Sequence, residues 1–464
     1  MNETKMTRSS VLELFNLDDT DVLEATYVNI NGEAGIRLTL KASYEPCPHC
    51  GTAHPKIKDY YLKKITHSVL TDRKCTLFYK VRRYECTFCH RTYAEHNPFV
   101  FGSSSISAYT VYLVLKDLKD YNETFSSVAR RAHISPTTAA SIFDSHVSLS
   151  RKELPEVLCF DEVYAFRHYS DKFVCVLLDF VTHKPIDFLN SRREDRLVSY
   201  FLAIPLEERK KVRICSSDMY NPYRNVMHRC FPNAYLAVDH FHVCQELNRQ
   251  LDRIRIRSMK GCDSKSDKYY LLKKFNWMLF KHDDATNKKG EELFAVDSNP
   301  KYNTKLKRYL NFYQIRELMF SDCPELKEAW DLKKDVYSFY LDYSGGEKEK
   351  ELDELIIKFR NASSNEMRHF AKTMENWRVE ILNSLNVYSY TYKVKKDTGQ
   401  VECHPVRVTN AIIENRNAII KCIKKNANGY TNWERFRKRL MYVLDKDATY
   451  TLNPIITEKK EDKS

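Results

Sequence analysis

The chain has 464 residues and a formal net charge of +13, with 75 Lys and Arg against 62 Asp and Glu. This length predicts two to four domains, and the basic excess favours a polyanionic partner, although a merely basic soluble protein has the same balance. Glycine is scarce and no glycine-rich phosphate loop occurs, which disfavours the Walker-type and Rossmann-type nucleotide-binding classes.

The sequence predicts the cellular compartment through the absence of a signal peptide and of a membrane-spanning segment. The first residues have no secretory signal core, and the most apolar stretch, 173–181, is too short to span a bilayer. We therefore expect a cytoplasmic protein whose 14 cysteines are reduced thiols or metal ligands and not disulfides.

Two CxxC pairs dominate the first part of the chain, where 1–42 predicts a short α/β lead-in and 43–100 a small β-rich module. Each pair can direct two thiolates at one ion, so the sequence predicts a structural zinc ribbon; a disulfide or a chance pairing is the alternative. The four ligands would be Cys47, Cys50, Cys86 and Cys89. With all four positions filled by protein, this zinc would hold together a module that grips DNA and would take no part in catalysis.

Helical periodicity over 104–150 includes a helix-turn-helix candidate at 124–143. Ser135-Pro136 is an N-cap followed by proline at the first helical position, so a second helix begins there. Thr137, Thr138 and Ser141 would face outward from that helix, where a recognition helix meets the DNA major groove. An ordinary helical hairpin is the alternative.

Strands and helices then alternate, which predicts a mixed central sheet. The predicted strands are 156–164, 172–181, 184–190, 211–217 and 234–239, with helices at 194–204 and 220–230. A mostly helical insertion follows at about 241–400, helices 406–426 and 431–444 close the fold, and 446–464 is a charged tail.

Two aspartates follow apolar strand patterns. Asp161 ends the run that begins at Val157, and Asp218 ends the run that begins at Val212. Adjacent strands lie about 4.8 Å apart, so two such carboxylates can share one metal ion. Each aspartate alone is equally well explained as a helix cap or turn former.

A third acid, Glu414, lies in a basic helical pattern. At helical spacing it shares a face with Asn417, Lys421 and Lys425, which would offer one carboxylate to a metal and two lysines to phosphates. A solvated face with intrahelical ion pairs is the alternative. Magnesium binds through carboxylates and substrate phosphates, so the three acids together predict a site for two magnesium or manganese ions beside a phosphodiester.

The predicted helix 245–257 displays Arg249, Arg253 and Arg257 at four-residue spacing. These side chains would track a DNA backbone, or they would form ordinary salt bridges with Glu246 and Asp252.

The order of these motifs resembles the ISL-three family of bacterial insertion-sequence transposases over about residues 43–445. The resemblance rests on the zinc ribbon, the helix-turn-helix, the segments Phe160-Asp161-Glu162 and Ser217-Asp218-Met219, and the stretch from Asn410 to Phe436. It implies a multidomain α/β protein with a ribonuclease-H-like core at 155–445 and a DDE triad of Asp161, Asp218 and Glu414. Asp239 and His242 also resemble a family segment that would brace the site or handle flipped DNA; a buried capping Asp and a core His are the alternative.

The resemblance implies a DNA transposase that binds the terminal inverted repeats of an insertion sequence, cuts them with metal ions and transfers the strands. The expected partner is double-stranded DNA, bound by a homodimer or higher oligomer associated with the bacterial nucleoid. The alternatives are a related nuclease without strand transfer and a disabled or regulatory DNA-binding protein.

Overall fold

The computed structural model describes residues 12, 18, 22–30, 33–165, 171–341, 346–395 and 397–454. The predicted lead-in at 1–42 and the predicted tail at 446–464 therefore lie partly outside the described residues. None of the described helices combines the length and apolar character needed to cross a membrane.

An N-terminal sheet of five strands comes first, in the order β1-β2-β4-β3 with β5 paired to β4. Its strands are β1 (Val22–Ile30), β2 (Glu33–Leu40), β3 (Lys56–Thr66), β4 (Cys75–Glu85) and β5 (Thr92–Ala94). Apolar side chains of β2 and β4, among them Ile36, Leu38 and Leu77, form its core. Because β2 pairs with β4, the predicted boundary at residue 42 falls between two neighbouring strands of one sheet.

A three-helix bundle follows, made of α1 (Ala108–Asp117), α2 (Phe125–Arg131) and α3 (Pro136–His146). The Ser135 hydroxyl accepts a hydrogen bond from the Thr138 amide, as predicted for the N-cap of α3. His133, with φ of 52°, turns the chain between α2 and α3. Ala139 and Phe143 are fully buried between the helices.

The central sheet has the order β10-β9-β6-β7-β8. Its strands are β6 (Val157–Tyr164), β7 (Phe173–Asp179), β8 (Pro185–Leu189), β9 (Ile214–Ser217) and β10 (Tyr235–Val238), with α4 (Glu194–Leu202), α5 (Leu206–Arg209) and α6 (Asn221–Cys230) between them. The first three strands are antiparallel, whereas β9 is parallel to both β6 and β10. Each strand lies within a predicted one.

The insertion is mostly helical, as predicted. It contains α7 (His240–Lys260), α8 (Asp267–Lys274), a 3-10 helix (Asn276–Phe280), β11 (Lys301–Asn303), β12 (Arg308–Leu310), α9 (Phe312–Ser321), α10 (Pro324–Leu341), α11 (Lys348–Arg360), α12 (Asn365–Asn376) and α13 (Arg378–Asn383). A hairpin of β13 (Val387–Val394) and β14 (Val401–Arg407) ends it. This hairpin was not predicted, and it occupies the start of the helix that the sequence placed at 406–426.

Two helices, α14 (Ala411–Asn426) and α15 (Trp433–Leu444), cover one face of the central sheet, and the insertion with α4 and α6 covers the other. Alternate residues of β6 supply both cores: Val157 and Cys159 pack beneath α14 and α15, whereas Leu158 and Phe160 pack on the insertion side. β6 is therefore the buried central strand of a three-layer unit.

Candidate functional site

Asp161 and Asp218 lie on neighbouring parallel strands. β6 and β9 pair through Val157 with Ile214 and Cys159 with Ser216. The paired residues end two positions before Asp161 and Asp218, so both acids lie at the same end of two adjacent parallel strands. Asp218 directly follows β9, as predicted, whereas Asp161 lies inside β6, which continues to Tyr164.

The Asp161 carboxylate is buried, with 8% of the residue exposed. One oxygen accepts a 2.8 Å hydrogen bond from the Asn417 amide, and the other accepts the Glu162 backbone N–H at 2.7 Å. Burial raises the pKa of Asp161 to about 6, and these two hydrogen bonds and the nearby His242 oppose that rise.

Asp218 lies in a similar environment. Its Oδ1 is buried and accepts no hydrogen bond from the residues that the structure describes. Burial raises the pKa of Asp218 to about 7; Glu162 and Asp161 act in the same direction, and Arg192 opposes them. The charge of Asp161 thus raises the proton affinity of Asp218, and a cation at this position would be stabilised by the same charges.

Glu414 lies in the first turn of α14 and is exposed. The Asn410 side chain donates to the Phe160 carbonyl at 2.9 Å, and Asn417 donates to Asp161. Glu414 lies between Asn410 and Asn417 along the helix. The helical turn that carries Glu414 therefore packs next to Phe160 and Asp161 of β6. Among the described residues, four cysteines are the only group of three or more metal-ligand side chains whose ligand atoms all lie within 4.8 Å of one another. The carboxylate oxygens of the three acids therefore do not all lie within 4.8 Å of one another.

The predicted polar face of this helix is divided in the structure. Asn417 is buried with Ile413, Ile420 and Ile423, whereas Lys421 and Lys425 are exposed. Asn417 keeps its predicted spacing from the lysines along one helix, but it lies at the buried end of that face, where its amide donates to Asp161.

Asp239 caps α7 and connects it to α14. One carboxylate oxygen accepts a hydrogen bond from the backbone N–H of Phe241 at 3.2 Å, and the other accepts one from the backbone N–H of Asn410 at 2.8 Å. Burial would raise the pKa of Asp239, but the hydrogen bonds from His240 and these amides lower it overall. Asp239 therefore has the capping role that the sequence left open, and it also positions the start of the Glu414 helix.

His242 lies one turn into α7. Its Nε2 is buried and has no hydrogen-bond partner among the described residues. A protonated His242 would lower the pKa of Asp161, which places the imidazole near that acid. The predicted role of His242 in bracing the site or handling flipped DNA stays a prediction.

Sequence reasoning missed the roles of Asn410 and Asn417, because no spacing marks an asparagine that contacts a strand 250 residues away in the chain. Glu162 is a further acid of β6 near the site. Glu162 accepts hydrogen bonds from Arg192 and from the Tyr223 hydroxyl at 3.0 Å. Because neighbouring residues on a strand face opposite sides of the sheet, Glu162 points away from the side on which Asp161 lies.

The four predicted zinc ligands converge, which confirms that part of the prediction. The sulfurs of Cys47 and Cys89 are 3.7 Å apart, and those of Cys50 and Cys86 are 3.5 Å apart. Sulfurs about 2.3 Å from a tetrahedral zinc lie about 3.8 Å from one another. The cluster therefore has the composition and dimensions of a structural zinc site.

Thr137 and Ser141 are exposed on α3 and Thr138 is half-buried, so the outward face of the predicted recognition helix is present. The predicted contacts of these side chains with DNA remain predictions.

The three arginines of α7 differ from one another. Arg257 is bound between Glu325 and Glu366 at 2.7 and 3.0 Å, and Arg249 contacts Glu246 at 3.1 Å. Arg253 donates to Gln250 on its own helix at 3.2 Å. Arg257 thus has a structural partner set that the sequence did not predict, whereas Arg249 and Arg253 contact only their own helix in the contacts described.

Comparison with known proteins assigns the family. A search of curated proteins finds no match. The family model DDE_Tnp_ISL3, described as a transposase, matches residues 158–392 and 395–440, which include all three acids, Asp239, His242 and the insertion. The chain therefore belongs to the ISL3 family of transposases.

Proposed function

We propose that this chain binds the terminal inverted repeats of an insertion sequence and catalyses metal-dependent strand cleavage followed by strand transfer, with Asp161, Asp218 and Glu414 as the catalytic acids. The observation that carries this proposal is the parallel pairing of β6 and β9, which brings the buried Asp161 and the half-buried Asp218 to the same end of two adjacent strands. The helix that bears Glu414 packs there, since its Asn417 donates to Asp161. The family match supports it, because transposases act on DNA.

We interpret the central sheet as a ribonuclease-H-like core. Three antiparallel strands followed by two parallel ones, with helices on both faces, support this interpretation. In such a sheet the acids of β6 and β9 lie side by side, and the C-terminal helix supplies the third.

The acids suit a divalent metal ion. All three offer hard oxygen ligands, and the Asp218 oxygen without a hydrogen-bond donor is available for coordination. Bound magnesium or manganese would activate the attacking hydroxyl and stabilise the leaving oxygen. Asn417 would orient Asp161, while Asp239 and Asn410 would hold the Glu414 helix in place.

We further propose that the cysteine cluster holds structural zinc, and that this module and α3 recognise the transposon ends. Thr137, Thr138 and Ser141 would reach the DNA, and the exposed Lys421 and Lys425 would contact phosphates near the acids. Pairing two ends requires at least a dimer on DNA, bound in the same cell compartment as the chromosome.

The decisive test uses labelled transposon ends and a target plasmid. We expect the wild type with magnesium to cut the ends and join them to the plasmid. Asp218→Asn should lower cleavage by at least about 1,000-fold while end binding is kept, because catalytic groups that act as a unit lose most of the rate together. Asp179→Asn is the matched control, since Asp179 caps the β7–β8 turn through Val181 and Thr182. Full cleavage by Asp218→Asn would contradict the assignment.

The same assay separates the rival functions. A nuclease would cut without joining, and a regulatory copy would bind ends without magnesium-dependent nicking. None of the three predicted acids is missing from this chain, which favours the active enzyme.

A further inference from the structure

Arg192, in the loop between β8 and α4, is held in one position by contacts with three separate elements. Its guanidinium carbon lies 3.9 Å from the ring centroid of Phe173, at the start of β7, and 4.9 Å from that of Tyr220, which caps α6. Its Nη1 donates to Oε1 of Glu162 in β6. Stacking on two rings and an ion pair fix the plane of a side chain that is flexible when free.

These contacts place Arg192 beside both aspartates of the candidate site. Glu162 directly follows Asp161, and Tyr220 lies two residues beyond Asp218. Burial raises the pKa of Asp218, and the positive charge of Arg192 opposes that rise, as expected of a cation near this carboxylate. Arg192 therefore lies at the end of the central sheet where the two aspartates lie.

The ion pair with Glu162 leaves part of the guanidinium unused. Glu162 accepts from Nη1 alone, while its other oxygen accepts the Tyr223 hydroxyl at 3.0 Å. Nε and Nη2 of Arg192 donate to no residue that the structure describes, and neither atom is closed to solvent. In all, 29% of the Arg192 side chain is exposed.

Free donors of this kind match the chemistry of a phosphodiester. A guanidinium presents its N–H groups in one plane, at a spacing that fits two oxygens of a phosphate. An arginine that served only to neutralise Glu162 would have no need of aromatic rings on both its neighbouring elements to fix the direction of its remaining donors.

We propose that Arg192 binds a non-bridging oxygen of the phosphodiester that the acids cut. The proposal rests on the proposed function, since it requires DNA at the acidic site. Phe173 and Tyr220 fix the plane of the guanidinium, Glu162 holds one edge, and Nε and Nη2 donate to the phosphate. The same N–H groups stabilise the negative charge that these oxygens carry in the transition state.

The test is a thermodynamic cycle between Arg192 and the charge of one phosphate. End duplexes carry a single neutral methylphosphonate, moved one position at a time across the junction of terminal repeat and flank. They are titrated in magnesium buffer with Asp218→Asn protein, with and without Arg192→Gln. On unmodified ends, Arg192→Gln should weaken binding about tenfold, because a charge-assisted hydrogen bond is lost.

The methylphosphonate should change this loss at one position only. At the phosphate that the wild type cuts, the loss caused by Arg192→Gln should fall below about twofold, because the charge that Arg192 binds is already gone. At the other positions the loss should stay about tenfold. A loss that is equal at every position, or that is relieved only at a phosphate away from the cut, overturns the proposal.

Arg193→Gln is the matched control. The Arg193 side chain is 67% exposed and pairs with Asp195 at 3.3 Å, so its effect on binding should be the same at every methylphosphonate position. Arg192→Lys should retain part of the position-specific effect, because it keeps the charge and loses the planar fork.

A second variant covers a failure to fold. Arg192→Gln leaves Glu162 without its partner, whereas Arg192→Gln combined with Glu162→Gln leaves no unpaired carboxylate and should show the same relief at one position. Wild-type protein that cuts and joins DNA while this relief is absent overturns the Arg192 contact alone. Relief at one phosphate in a protein whose wild type never cuts overturns the proposed reaction.

Discussion

At the scale of single residues, Asp218 and Asp161 carry the proposed cation site. Each is an acid in a position that penalises its charge, since burial and neighbouring carboxylates raise the pKa values to about 7 and about 6. Without a cation the arrangement destabilises the folded chain at neutral pH. In the proposed function, a bound divalent metal ion would offset this penalty.

This destabilisation predicts a pH dependence. Between the ordinary aspartate pKa and the raised values, the folded chain holds protons that the unfolded chain has released. Stability should therefore fall as pH rises from about 4, near the ordinary aspartate pKa, to about 7, by on the order of 2 kcal/mol. The measurement is urea unfolding in magnesium-free buffer that retains zinc.

The Asp161→Asn, Asp218→Asn double variant should lack this component of the pH dependence, whereas Asp195→Asn, at an exposed position of α4, should keep it. If the free energy of unfolding depends on pH in the same way in the wild type and the double variant, these two acids do not titrate as described.

At the scale of elements, two side-chain amides hold α14 against β6. Asn410 lies at the start of the helix, and Asn417 lies one turn beyond Glu414. Asn410 is fully buried and joins Phe160 of β6 to Asp239 at the head of α7. One asparagine thus connects the elements that carry the first and third acids.

Asn410→Ala should lower the free energy of unfolding by about 2 kcal/mol, because the Phe160 carbonyl loses a buried donor. It should also slow cleavage while end binding stays intact, since the Glu414 turn loses its attachment. Asn415→Ala, at an exposed position of the same helix, is the matched control. Equal unfolding energies and equal cleavage rates for the two variants would argue against this role.

The N-terminal sheet should depend on its metal ion. In the Cys50→Ser, Cys89→Ser variant, zinc measured by mass spectrometry should fall from about one ion per chain to nearly none, and the thermal transition of this sheet should move to lower temperature. Cys75→Ala should keep its zinc, because Cys75 lies in β4 outside the cluster. Unchanged metal content in the double variant would refute the four-thiolate site.

At the scale of the whole molecule, α15 joins the helix bundle to the central sheet. The buried Arg439 donates to the carbonyls of Asp120 and Glu123 in the α1–α2 loop at 2.8 and 2.9 Å. On the same helix, Arg437 forms two hydrogen bonds with Asp187 of β8. The candidate recognition helix is therefore held in a defined position relative to the acids.

Electrostatic attraction of DNA is a property of the whole surface, and its salt dependence tests the arginines of α7. Arg249→Gln with Arg253→Gln should reduce the slope of log affinity against log salt by about 2, at about one per phosphate contact. Arg257→Gln should leave the slope unchanged and lower the melting temperature, because Arg257 is held by Glu325 and Glu366. An unchanged slope in the double variant would remove Arg249 and Arg253 from the interface.

The local signals of the sequence determined the strands of the central sheet, the N-cap of α3, the four cysteines and the family, because each depends on residue type and short-range spacing. They did not determine the β13–β14 hairpin or the inward orientation of Asn417, because strand pairing and burial there depend on residues distant in the chain. Only the tertiary structure decided that the strands leading to Asp161 and Asp218 pair in parallel, and that Asp239 and Asn410 fasten the Glu414 helix. These are relations between elements, and they arise when the two hydrophobic cores bring both faces of β6 into contact with helices from opposite ends of the chain.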